Sequence, residues 1–327
     1  MTMTDRLVVR LLPAVPRRVV RRISAPYLAG ETRLDALRTI AALNERGAMA
    51  TVDVLGEQFR SLDQADELVS EYVAVLDDLF AWGLDGNLSV KMTGLGLELD
   101  PDACQANLEV LVARAEEHGN FVRVEMEDSS TTTATLEAYR RLRAQGHENV
   151  GIVLQAYLRR TPADVESLAS LQPNVRLCKG IFAEPLSAAY HDPDAVRASY
   201  LECLERLFAM GCYVGVATHD EWLQCEALRL VDKYGLKPTE FEFQMLLGAR
   251  EDLGEVLVGE GHRLRVYVPY GEHWYEYSLR RVQENPAVAG VLARDVVRRG
   301  ASGAAATLRR ARSALSGTVV PHREVGR

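Results

Sequence analysis

The chain reads as an α/β protein, a distorted (β/α)8 barrel of the TIM type. Three observations predict this. Eight short β-rich runs alternate with longer stretches of helical periodicity between about residues 48 and 286, close to the roughly 250 residues such a barrel needs. No Gly-x-Gly-x-x-Gly loop follows the first run, as an open dinucleotide-binding sheet would require; "TGLGLELD" has the wrong spacing and comes after the second. No low-complexity linker divides the chain. The expected organisation is a helical arm over 1–47, the barrel over 48–286, and a C-terminal helix and basic tail over 287–327, with a helix packed over the barrel mouth.

The arm carries Arg6, Arg10, Arg17, Arg18, Arg21 and Arg22 against Asp5 alone. An amphipathic segment packed on the body explains this better than a membrane-surface helix or a transit peptide. The β-rich runs follow in order: "MATVDVL", "LSVKMT", "FVRVEME", "VGIVLQAY", "VRLCKG", "YVGVATH", "FEFQMLLG" and "LRVYVPY". Between them lie helical stretches such as "LDQADELVSEYVAVLDDLFAW". In "PDACQANLEVLVARAEEHG", Asp100 is placed to cap, Pro101 to occupy the first helical position and Gly119 to stop the helix. A net charge of -8 excludes a general nucleic-acid binder. Five cysteines without a C-x-x-C pair fit a reducing, intracellular compartment.

Barrel enzymes work at the carboxyl ends of their strands. Polar residues near those ends are Asp53 and Glu57, Lys91, Glu125 with Glu127, Gln155 and Tyr157, Arg176 and Lys179, Thr218 and His219, Gln244, and Tyr267 with Tyr270. Buried charge is costly without a partner, so repeated charge here points to a site rather than to filling. Several have competing readings. Lys91 could serve a site or pair with Glu125; Lys179 could be a Schiff-base lysine, a phosphate clamp or a structural ion pair. His219 could be functional or cap a helix, and Gln155 could be a ligand or a core amide. Arg176 within a strand calls for an anion.

The stretch "YGEHWYEYSLRRVQENP" sets Tyr277, Arg280, Arg281 and Glu284 at i, i+3, i+4 and i+7, one face of a helix. Exposed pairing explains Arg280 with Glu284. It does not explain Trp274 and Tyr277 on the same face beside two adjacent guanidiniums, which suit bidentate recognition of a carboxylate.

The ordered set "YLAGE", "VDVLGE", "LSVKMTGLG", "VRVEMEDS", "LQAYLRR", "RLCKGIF", "VATHD", "FQMLLG", "VYVPYG" and "YSLRRVQENP" resembles proline dehydrogenase in its monofunctional bacterial form. The resemblance implies FAD held in the barrel mouth, oxidation of L-proline to Δ1-pyrroline-5-carboxylate, and electrons passed to a membrane quinone. It implies a cytoplasmic protein with peripheral contact at the inner face of the membrane. Arg280 and Arg281, with Lys91 beside them, would bind the proline carboxylate. Tyr267, Tyr277 and Leu246 would pack on the ring, and Glu57 would close an ion-pair gate. Gln155, Arg176, Lys179, Gly180, Thr218, His219 and Glu284 match flavin positions. Two departures stand out: Glu125 occupies a position commonly Asp, and Phe182 one commonly Tyr. The competing functions are a Schiff-base aldolase using Lys179 and a non-catalytic ligand-binding barrel.

Overall fold

The computed structural model describes residues 17–56, 59–275 and 277–278. They fall in two compact units. The larger, Ala25–Trp274, is the barrel; the smaller takes the chain before and after it. In the smaller unit α1 (Arg17–Ser24) is described, with the Arg17 guanidinium over the Tyr275 ring at 4.7 Å.

In the larger unit eight parallel strands close into a barrel in sequence order. They are β1 (Met49–Val54), β2 (Gly86–Val90), β3 (Val122–Val124), β4 (Val150–Gln155), β5 (Val175–Cys178), β6 (Val214–Ala217), β7 (Phe241–Leu246) and β8 (Leu264–Tyr270). Seven fall inside their predicted β-rich runs; β2 overlaps its run but begins two residues before it, at Gly86. Closure is a six-residue register between β1 and β8, from Met49 opposite Arg265 to Val54 opposite Tyr270.

Helices α3 (Leu62–Trp82), α4 (Pro101–Glu117), α5 (Thr132–Ala144), α6 (Thr161–Ser167), α7 (Pro193–Ala209), α8 (Glu221–Tyr234) and α9 (Glu251–Gly259) follow successive strands. Asp100 caps α4 as the sequence predicts, its side chain accepting from the Asp102 and Ala103 amides, with Pro101 behind it. Before the first strand, α2 (Arg33–Glu45) starts with a reciprocal Thr32–Asp35 capping box. The boundary at residue 47 assigns α2 to the arm; in the structure it packs on β1 and β8, covering the closure seam.

Strand alternation divides the molecule. Outward residues such as Val52, Leu88, Val122, Ile152, Leu177, Val216 and Phe243 join the helices' buried faces in one apolar core. The inward residues are polar: Asp53, Ser89, Arg123, Gln155, Arg176, Glu242, Gln244 and Arg265 are all buried. Barrels of this type are usually filled by branched aliphatic residues. Here hydrogen-bonded charge fills the centre.

At the amino-terminal end Arg265 Nε donates to Glu242 Oε1 at 2.9 Å, and the Tyr213 hydroxyl to Glu242 Oε2 at 2.9 Å. Arg123 donates to the Asn174 carbonyl at 2.7 Å. Burial, with repulsion from Arg176, brings the Arg123 guanidinium down to about 9. Glycines make the room: a Cβ at Gly151 would lie 2.4 Å from Arg123 Nη1, and one at Gly215 would lie 2.4 Å from Gln244 Nε2.

Arg265→Leu is expected to cost about 3–5 kcal/mol, because it strands a buried carboxylate at Glu242. Val256→Thr, on the exposed face of α9, should stay within about 0.5 kcal/mol. Urea unfolding of both variants checks the contrast; equal effects would mean that the buried pair contributes nothing.

Candidate active site

Above that layer, toward the carboxyl ends of the strands, lies a second connected set of charges. Lys91, the first residue after β2, sets its ammonium between the Asp53 oxygens at 2.7 and 2.6 Å. Asp53 is fully buried in β1 and also accepts from the hydroxyls of Tyr267 and, at 3.4 Å, Tyr72. Burial lifts the Asp53 carboxyl above its ordinary range, and Lys91 only partly offsets this.

Glu125 follows β3. It accepts from Arg176 Nη1 at 2.5 Å and from the Ser89 hydroxyl. Burial alone would raise Glu125, but attraction to Arg176 and Lys91 and the Ser89 hydrogen bond outweigh it and hold the carboxyl below its usual value. Arg176 also donates from Nε to Gln244 Oε1 at 2.5 Å, and its guanidinium lies 5.4 Å from the centre of the Tyr267 ring. Leu246, at the end of β7, stands opposite Tyr267 in the β7–β8 register. The structure thus brings Lys91, Glu125, Arg176, Tyr267 and Leu246 to one mouth.

The other predicted positions lie on the neighbouring strand ends. Gln155 Nε2 donates to the carbonyls of Met126 at 3.0 Å and Glu127 at 2.6 Å. Lys179 pairs with Asp220 at 3.3 Å, and Arg197 binds the same carboxylate at 2.9 Å. Thr218 is buried, its hydroxyl accepting from the Asp220 amide at 3.1 Å. The Leu246 amide donates to His219 Nε2 at 3.0 Å, so that nitrogen carries no proton and Nδ1 is the donor. Gly180 has φ +107° and packs against Tyr157, whose ring a Cβ would meet at 2.0 Å, so only glycine fits. The Tyr157 hydroxyl donates to the Phe182 backbone carbonyl at 3.3 Å, a contact indifferent to the side chain at 182.

Tyr277 is buried and belongs to the smaller unit. Glu57, Arg280, Arg281 and Glu284 lie outside the described residues, as does the expected C-terminal helix.

Two residues at the mouth are central although sequence reasoning gave them no role: Asp53, the actual partner of Lys91, and Gln244, which braces Arg176. The available signal was their phase. Both occupy inward positions of "TVDV" and "FEFQ", between residues that face the core.

The set fits a flavin. Arg176 Nη2 and Gln155 Oε1 are buried without a hydrogen-bond partner among the described residues, one a donor and one an acceptor. Buried polar atoms are rarely left unmet, and the edge of an isoalloxazine offers both complements. Beside them lie the glycine backbone at 180 and the cation of Lys179. Among the described residues no cluster of His, Cys, Asp and Glu could hold a metal ion, and no helix is long and apolar enough to cross a membrane. An aldolase lysine works desolvated, whereas the Lys179 side chain is 42% exposed and ion-paired.

Comparison with known proteins places the chain in a family. The sequence profile of the family described as proline dehydrogenase matches residues 36–294. The proline dehydrogenase of Deinococcus radiodurans is 35% identical over 286 residues, covering 86% of this chain and 92% of that protein. Proline dehydrogenase 2 of Bacillus subtilis is 36% identical over 267 residues, covering 81% of this chain and 88% of that protein. Among solved structures, proline utilization A from Bdellovibrio bacteriovorus, inactivated by N-propargylglycine, superposes with a TM-score of 0.75 at 25% identity. The match covers 80% of this chain but 32% of that much longer one.

Acid behaviour tests the Glu125 network. A carboxylate held below its ordinary value of 4.5 stabilises the fold fully above that pH, and the contribution is lost as pH falls through the lower folded value. Glu125→Gln should therefore be less stable than the parent near neutrality, with the gap closing below about pH 4. Unfolding free energies at both pH values measure it; a constant gap would contradict the assignment.

Proposed function

We propose that this chain, which belongs to the proline dehydrogenase family, oxidises L-proline to Δ1-pyrroline-5-carboxylate with bound FAD and passes the electrons to a membrane quinone. The observation that carries the cofactor assignment is the pair of unmet buried atoms, Arg176 Nη2 and Gln155 Oε1, at the mouth of a closed barrel. Gln155, Arg176, Lys179, Gly180, Thr218 and His219 would hold the flavin, with Glu284 near its ring. When bound, FAD accepts the hydride that leaves C5 of the substrate.

The protein's own task is then orientation and charge. Lys91 and Arg176 each carry a carboxylate partner, Asp53 and Glu125, so the four charges cancel among themselves. An anionic substrate needs further cations, and Arg280 and Arg281 supply them, gripping the proline carboxylate beside Lys91. Tyr267 and Leu246 offer an apolar wall with one phenol edge, to which Tyr277 adds a second ring. The Asp53 hydrogen bond fixes the Tyr267 ring and so sets the width available to the substrate. Closure of Glu57 on the arginines excludes water. The preorganised guanidinium of Arg176 favours the reduced cofactor without moving during the reaction. The enzyme acts in the cytoplasm, meeting its quinone at the inner face of the membrane.

An anaerobic visible spectrum before and after L-proline tests the reading. Flavin absorbance that bleaches with proline is expected; a colourless protein, or a spectrum indifferent to proline, would refute it. Arg280→Met and Arg281→Met should each raise the KM for proline about ten- to hundred-fold, the worth of a hydrogen bond to a buried charge. Unchanged kinetics in both would remove them from the site.

A further inference from the structure

Arg176 is held from two sides, and only one of them is charged. Its Nη1 meets Glu125 at 2.5 Å and Ser89 at 3.0 Å; its Nε meets the amide oxygen of Gln244 at 2.5 Å. A guanidinium is planar, so two fixed edges determine where the third points. The third is Nη2, which has no partner among the described residues.

Gln244 has its own orientation imposed from below. Its Nε2 donates to Glu242 Oε1 at 2.5 Å, and Glu242 is anchored by Arg265 and Tyr213. With the amino end committed to a carboxylate, the oxygen must face Arg176. Gly215 opens the space the amide occupies. A glutamate here would set two carboxylates against each other, and a leucine would leave both neighbours unmet.

We propose that Gln244 is a positioning residue: through the relay Arg265–Glu242–Gln244 it aims the free N–H of Arg176 at the cofactor's ring edge. This rests on the flavin reading above. It also gives the lower layer of buried charge a purpose beyond folding, because that layer sets the polarity of the relay.

The test compares the parent, Gln244→Leu, Gln244→Glu and the exchanged pair Glu242→Gln with Gln244→Glu, each loaded with FAD. Gln244→Leu should lower kcat about ten- to hundred-fold, leave the KM for proline within about threefold, and shift the flavin midpoint potential to more negative values. The potential is the discriminating readout, since a merely structural defect would lower flavin occupancy or melting temperature without moving it in the loaded fraction. Gln244→Glu alone should be impaired. The exchanged pair restores an acceptor toward Arg176 and a donor between positions 242 and 244, and should recover at least half the lost kcat and potential.

An unshifted potential and a kcat within twofold of the parent in Gln244→Leu, while Arg176→Met lowers both, would overturn the relay and leave the proposed function standing. A parent that takes up no flavin would instead refute the function itself. Should Gln244→Leu not fold, an exchanged pair no better than Gln244→Glu alone would equally overturn the relay.

Discussion

The structure depends on one constraint: charge inside a closed barrel must be paired at once, because water cannot reach it. From Lys91 and Asp53 at the mouth to Arg265 and Glu242 beneath, each ionised group in this interior touches a counter-charge or a committed dipole. The apolar core that holds the fold together lies outside the strands, between sheet and helices. The barrel is therefore built in the reverse of the usual sense, with its hydrophobic effect in the outer layer and its electrostatics at the centre.

That arrangement explains several local choices. Gly151 and Gly215 lie on inward strand positions where a side chain would collide with Arg123 or Gln244. Their backbone entropy cost is offset by the polar contacts they allow. The Tyr72 hydroxyl enters from α3 to meet Asp53, linking the helical ring to the polar interior. A network paired this densely holds its members in fixed geometry. Buried polar atoms without a hydrogen-bond partner among the described residues include Arg176 Nη2 and Gln155 Oε1 at the mouth, and Thr51 Oγ1 and Asn87 Oδ1 on β1 and β2.

Within this frame the residues at the mouth take different parts. Lys179 is half-exposed and shares Asp220 with Arg197, the habit of a surface cation rather than of a nucleophile. His219 spends Nε2 on the Leu246 amide, which fixes its tautomer. The departure at Glu125 leaves a carboxylate that accepts from both Arg176 and Ser89. Phe182 contributes its backbone to Tyr157, which the lost hydroxyl does not affect.

Eight strands, their order and their inward phase were legible along the chain, because alternation and caps are local properties carried by neighbours. So were most residues at the mouth, since strand ends follow from strand positions. Which charges meet was not legible. Sequence reasoning offered Glu125 as the partner of Lys91, whereas Lys91 takes Asp53 and Glu125 takes Arg176. The tilt and stagger of a closed barrel decide which inward side chains share a level, and no local pattern encodes either. The same holds for α2: its periodicity announces a helix, but only closure of β1 on β8 creates the seam it covers. Local chemistry determined the elements and their facing; the geometry of closure alone decided the partners, because groups as far apart in sequence as Arg176 and Glu125, 51 residues, meet only once the ring is shut.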